Sequence, residues 1–260
     1  MHSNTRLIKL ITLVLFLGIV TVPAWGASKN KGPVIEPRAR QVLQKVGDFM
    51  KSAQNFTFKL ETYREIIMDT GQPIEYSTLS EIGVRKPDRV RIITSGDMGD
   101  FSVWYDGSHI TVYNADRNIY SQDKVPDTID AAFSQLAKDK GITPPMISLL
   151  YKDPVKLWME RVKSGFYVGL NQIRGVECHH LAFTSETGYS QIWVSAGFSP
   201  VILKVMITKR EQKGAPQYTA YLSDWDMSPY VPDSLFVDIL PKNALLTDIS
   251  KLRVEDSKDQ

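Results

Sequence analysis

Between residues 37 and 54, apolar side chains at Ala39, Val42, Leu43, Val46, Phe49 and Met50 recur at steps of three and four. Pro37 stands where a first helical turn tolerates it, so the spacing predicts one amphipathic helix. The period then changes to two. Phe56, Phe58 and Leu60 alternate with polar residues, and Asp69-Thr70-Gly71 turns the chain into a second run from 73 to 84. Lys86-Pro87-Asp88 breaks that run before a third, over 89–94. Asp106-Gly107 between alternating runs predicts a two-residue hairpin that pairs Val103 with Ile110, Phe101 with Val112 and Trp104 with His109. Phe101, Val103, Ile110 and Val112 then share one face.

Helical spacing returns over 127–140 and 144–162, with Gly141 and Pro144-Pro145 between them. Strand patterns follow at 166–173, 176–184, 189–196, 201–211 and 216–226. A turn at Arg174-Gly175 would put Phe166, Val168, Leu170, Leu181 and Phe183 on one face. The fold expected is mainly β, of the α+β class: a single curved antiparallel sheet of about ten or eleven strands forming an incomplete barrel. The N-terminal helix and the helical insertion cover its apolar concave face. Such a half-closed barrel leaves an apolar cavity, the usual form of a lipid-binding site.

The first 26 residues change the charge balance. Arg6 and Lys9 precede an apolar run over 10–22, and Pro23-Ala24-Trp25-Gly26-Ala27 offers a small-x-small cleavage site, read as cleaved after Gly26. The run is shorter than the ~20 residues a membrane span needs. No cysteine follows it, so a lipid-anchor site is absent there. A signal peptide over 1–26 is therefore expected, with one domain over 27–260 delivered to the periplasm and not integral to the membrane.

Of 260 residues, 43% are hydrophobic and 23% charged, with a formal net charge of +2. Both excess charges sit in the leader, so the remainder is formally neutral and nucleic acid is an unsupported partner. The single cysteine, Cys178, excludes an intrachain disulfide framework and a cysteine-rich zinc module. Cys178-His179-His180 puts Cys178 and His180 on one strand face, a possible start of a metal site that lacks further ligands; packed strand residues account for it better. Asp97 and Asp100 lack the other ligands of a calcium loop. There is no G-x-S-x-G elbow, phosphate loop or H-E-x-x-H, so no catalytic residue, metal or cofactor is assigned. Arg89 and Arg91 share a strand face, either as a headgroup site or as solvated edge charges.

The order of motifs resembles the periplasmic lipoprotein-carrier fold, the Lol-type chaperone and receptor superfamily. The residues that carry this are Arg85-Lys86-Pro87-Asp88, Tyr105-Asp106-Gly107 leading to Val112-Tyr113-Asn114, and Asp233-Ser234-Leu235-Phe236-Val237-Asp238 before Pro241. Within that superfamily the chain is most similar to an uncharacterised family of predicted periplasmic proteins. Tyr167-Val168-Gly169, Cys178-His179-His180-Leu181-Ala182-Phe183, Gln191-Ile192-Trp193 and Pro216-Gln217-Tyr218 carry that likeness. The resemblance implies a half-barrel sheltering acyl chains beneath a helical lid. It also implies that the basic residue before the proline, here Lys86, helps control lid closure; a lysine lacks the planar fork of an arginine.

The function expected is a non-enzymatic periplasmic carrier for a lipid or an acylated protein. Phe101, Val103, Ile110, Val112, Val168, Leu170, Leu181 and Phe183 would line its cavity, with Lys86 near the mouth. The alternative on the same fold is an envelope sensor or protein-interaction module that binds an envelope protein. A third reading is a metal-dependent enzyme built on Cys178 and His180.

Overall fold

A computed structural model describes residues 34–252; the leader expected at 1–26 lies outside them. The first helix, α1 (Pro37–Ser52), begins at the proline and turns Ala39, Val42, Leu43, Val46, Gly47 and Met50 inward. Six strands follow as a meander: β1 (Asn55–Ile67), β2 (Pro73–Arg85), β3 (Arg89–Gly96), β4 (Phe101–Tyr105), β5 (His109–Asn114) and β6 (Ile119–Lys124). An insertion then holds α2 (Ile129–Lys140), a 3-10 turn at Ile147–Leu150, and α3 (Lys156–Arg161). A second meander comprises β7 (Val162–Ile173), β8 (Val176–Ser185), β9 (Tyr189–Ser195), β10 (Ile202–Thr208) and β11 (Gln217–Asp226). The short β12 (Leu245–Leu246) closes the order.

All twelve strands form one sheet, in the order β12-β6-β5-β4-β3-β2-β1-β11-β10-β9-β8-β7. The β1–β11 pairing, with Leu60 opposite Leu222 and Thr62 opposite Ala220, joins the two meanders. Only β12, beside β6, runs parallel to its neighbour. The curved sheet is mainly β and does not close into a barrel, with α1 and the insertion as its helical elements, as the alternation predicted.

Of the twelve strands, β6 and β12 are the two that the sequence runs did not mark. The buried residue of β6 is the polar Ser121, so no apolar alternation marks it. The family-like stretch at Asp233–Phe236 is a 3-10 turn that packs on β3 from the convex side, while Ile249 and Leu252 further on join the core. On that convex face the Thr111 hydroxyl donates to Asp238 Oδ2 at 3.0 Å, and Trp104 and Phe236 are buried.

The β4–β5 hairpin also differs from its expected register. Val103 pairs with Val112 and Tyr105 with Ile110, leaving Asp106 to Ser108 in a wider connection. The cause is the Asp106 carboxylate: its Oδ1 accepts from Ser108 N at 2.8 Å and His109 N at 2.7 Å, an Asx-type turn that displaces the tight hairpin. The shift is by two residues, so Phe101, Val103, Ile110 and Val112 still share a face.

In β7 the face assignment breaks. Phe166 pairs with Ala182, opposite in face to Leu181 and Phe183, and the register shifts between Tyr167 and Gly169. The inward position opposite Phe183 is Gly165, where any Cβ would collide with the Phe183 ring. Strand β7 is a sheet edge, and the Val34–Glu36 backbone pairs with it only near Gly165.

The core lies between the concave face and its helical covers. Phe56, Phe58, Val84, Val90, Tyr105 and Ile110 supply the first meander's share. Helix α2 fits directly onto that half: Phe133 meets Tyr105 edge-on at 6.2 Å, and the Tyr105 hydroxyl donates to Pro126 O at 2.7 Å. Thr128 caps α2 by accepting from Ala131 N, and Gly141 ends it with φ +63°.

Candidate functional site

Over the second meander the covers stand off from the sheet. A cavity of about 1110 Å³ lies there, bounded by Leu43, Val46 and Met50 of α1. The insertion contributes Ala137, Pro144, Leu149, Val155 and Trp158, and the sheet contributes Ile192, Ile202, Val205, Ile207 and Tyr218. Trp158 stands edge-on to Phe183, with ring centres 4.3 Å apart. The volume slightly exceeds the roughly 300–1,000 Å³ typical of small-molecule pockets. A hollow of about 670 Å³ near the β7–β8 turn includes Arg174, but that guanidinium is already bonded to Glu61.

The charged lining is unbalanced in sign. It holds Arg64, Lys138, Arg161 and Lys209 against one acid, Glu65, whose Oε2 accepts from Gln217 N at 2.7 Å. Tyr218 adds a polar group of another kind. Its hydroxyl is buried without a hydrogen-bond partner among the described residues, and burial raises its pKa above the ordinary tyrosine value.

None of the eight residues expected to line the cavity borders this one. Ile110, Leu181 and Phe183 are core residues, and Val103 and Val112 are half-buried against that core. Phe101 is half-buried on the same face, while Val168 and Leu170 are 42% and 51% exposed on the edge strand. The lining residues that sequence reasoning missed, Tyr218 and the bases Arg64, Lys138, Arg161 and Lys209, come from separate elements of the chain. The basic side chains flanking strand ends were the available signal.

Lys86 lies at the other end of β1 from Arg64, beside the Asn55–Arg85 pair. Its Nζ donates to Met50 O at 2.8 Å and sits 5.5 Å from the Phe56 ring centre. Burial lowers its pKa, with Asp130 and Asp153 opposing that shift. The Lys86–Pro87 bond is cis, and Pro87 O accepts from Ile129 N at 2.8 Å. One turn thus holds the end of α1 and the start of α2.

Cys178 and His180 face away from the cavity. The Cys178 thiol donates to Val176 O at 3.1 Å, and His180 Nε2 lies 2.9 Å from Gln191 Oε1. The His180 ring stacks on Trp193 at 4.2 Å. Asp97 accepts from Ser77 N and Oγ, bracing a loop, and Arg89 pairs with Asp88 at 2.8 Å. Among the described residues no group of three or more His, Cys, Asp or Glu is placed to hold a metal ion.

Solved structures of similar chain course include the Mycobacterium tuberculosis lipoprotein LppX, 14% identical, covering 76% of this chain and 100% of that one with a TM-score of 0.49. LprF from Mycobacterium bovis is 15% identical over 78% and 98% of the two chains, with a TM-score of 0.48. The LolA superfamily protein NE2245 from Nitrosomonas europaea is 11% identical over 77% and 97%, with a TM-score of 0.34. No curated protein matches the sequence. Among the described residues no helix is long and apolar enough to cross a membrane. Residues 39–249 match the family described as "Predicted periplasmic protein (DUF2092)", and the chain belongs to that family.

Proposed function

We propose that this periplasmic protein binds a lipid, free or as the acyl part of a lipoprotein, in the cavity beneath its helical cover. The observation that carries the reading is the 1110 Å³ space with apolar walls from α1, the insertion and β9–β11. Burying an acyl chain there gains about 0.8 kcal/mol per CH₂, so affinity needs few polar contacts. The reading assigns binding, not bond-making, to the site: Cys178 and the three described histidines all lie off the cavity. Native mass spectrometry of protein purified from its own periplasm tests it. A copurified lipid mass is expected; an empty protein that also takes up no added fatty acid would overturn it.

A second reading, an envelope-protein interaction module, draws on the exposed β7 edge. Phe166, Val168 and Leu170 are 54%, 42% and 51% exposed there, on a strand able to pair with an extended segment. Crosslinking in the native envelope should then trap a protein at Leu170 and leave the cavity empty.

A further inference from the structure

We infer that the ligand is an anionic amphiphile whose headgroup is held at a basic rim by Arg161, Lys209 and Lys138. The inference rests on the cavity reading and narrows it to a chemical class.

The topology gathers these side chains from distant parts of the sequence. Thr208, the last residue of β10, pairs with Gln217 at the start of β11 and with Tyr189 at the start of β9. Lys209 therefore stands at the end of the sheet where β11 begins. Val162, the first residue of β7, pairs with Ser185, just before the turn into β9. Arg161 immediately precedes Val162 and so occupies the same end of the sheet. Arg64 arrives there too, paired with Tyr218 next to Gln217. Lys138 comes from the cover, in the last turn of α2.

Arg161, Lys209 and Lys138 are exposed, and none of them forms an ion pair among the described residues. That contrasts with Lys51, Lys59, Lys163 and Arg174, each of which has a carboxylate partner. The one acid in the lining, Glu65, has an oxygen occupied by a backbone donor. An apolar cavity bordered by three cations with no carboxylate partner among the described residues presents hydrocarbon contact inside and an electrostatic preference for a carboxylate or phosphate outside. Guanidinium and ammonium groups satisfy such oxygens with charge-assisted hydrogen bonds.

Tyr218 is the second observation. Its ring borders the cavity, next to Arg64 in register, yet its buried hydroxyl has no partner among the described residues. A buried hydroxyl ordinarily has one. A headgroup or ester oxygen entering from the rim is the acceptor this position lacks.

The test exploits Trp158, which borders the cavity. Full-length protein is titrated with dibrominated stearate and with dibrominated stearyl alcohol, probes sharing one chain and one bromine quencher but differing in headgroup charge. Stearate should quench at a Kd about tenfold lower than the alcohol, and high salt should shrink that ratio. A triple K138Q/R161Q/K209Q variant should bring the two affinities together by weakening stearate binding about tenfold, with an unchanged far-UV circular dichroism spectrum showing the fold intact. Equal affinities in the parent protein would overturn the headgroup assignment and leave the cavity reading standing. Quenching by neither probe would overturn both. A ratio that survives in the triple variant would place the anion elsewhere and sink this assignment.

Discussion

The Lys86 ammonium donates to the Met50 carbonyl oxygen at 2.8 Å, at the C-terminal end of α1. A cation there opposes the negative end of the helix dipole and satisfies a carbonyl that the helix leaves open. The same turn supplies Pro87 O to Ile129 N, the first backbone donor of α2. The two covers are thus tied to one turn between β2 and β3, at the end of the cavity remote from the basic rim.

Replacing Lys86 by Met keeps most of the stem and removes the charge and donor. The lost charge-assisted bond outweighs the relief of burying an ammonium, because Met50 O is left without that donor. A loss of about 1 kcal/mol is expected in urea unfolding at neutral pH. Faster amide exchange at the end of α1 and the start of α2 should accompany it. Parental stability with unchanged exchange in both helices would show that the turn does not hold the covers.

How much of this was legible in the sequence divides along a physical line. Local spacing specifies α1, because one amphipathic stripe points one way whatever it meets. The long alternations of β1 and β8 declare themselves for the same reason. Register depends on single side chains, and the Asp106 carboxylate moved the β4–β5 pairing by two residues. The cavity is harder still. Apolar faces at Val103 and Val205 read alike in sequence, but α2 with Phe133 fills the space over one and leaves a void beside the other. Which part of a concave face stays empty is decided by the fit of its cover.

Gly47 sets how closely the lid approaches α1. A Cβ at this position would lie 3.2 Å from Val155 Cγ2, just before α3. Gly47→Ala gains up to about 1 kcal/mol of helix propensity and asks Val155 to yield by a few tenths of an ångström, so a change within about 1 kcal/mol is expected. Gly47→Leu has no such latitude and should cost about 1–3 kcal/mol by overpacking. It should also lever the lid outward. Limited proteolysis read by mass spectrometry should show faster cutting in residues 141–155. Unchanged cutting in the Leu variant would mean that the lid does not rest on this glycine.

The Lys51–Asp153 pair, at 3.0 Å, joins the end of α1 to the approach to α3. Both side chains are substantially exposed, at 50% and 38%, so the pair should contribute less than about 1 kcal/mol. Lys51→Gln should therefore leave the unfolding midpoint nearly unchanged while raising amide exchange around Lys156, whose N–H bonds to Asp153. A large fall in the midpoint would contradict this division between latch and scaffold.

Tyr218→Phe removes a buried hydroxyl that has no partner among the described residues. Leaving such a group unpaired costs about 1–3 kcal/mol, so the substitution should stabilise the empty protein by about 1 kcal/mol. A rise of about 2–4 °C in Tm is the corresponding readout for a chain of this size. With a bound fatty acid the advantage should shrink, because the parent hydroxyl then has an acceptor. A destabilised empty variant would mean that the hydroxyl is satisfied in the parent.

His179 and His180 make stability depend on mild acid. Burial lowers the pKa of each from the ordinary 6.5. Arg38 and Lys45 add to the effect at His179 against Glu177, and Lys204 adds at His180 against the Gln191 hydrogen bond. The fold thus favours neutral imidazoles, and the unfolded chain takes up protons that the fold refuses. Their contribution is complete above pH 6.5 and is lost as pH falls through the lower, folded values. Asp106, Asp153 and Asp233 have pKa values pushed below 3.8, so their contributions persist to more acidic conditions. Urea midpoints measured from about pH 7.5 down to about pH 5 should therefore fall in a range where the histidines titrate before those carboxylates. His180→Gln should flatten part of that fall, and a double substitution with His179→Gln should flatten more. Parallel pH profiles for the parent and the double variant would show that neither imidazole carries the dependence.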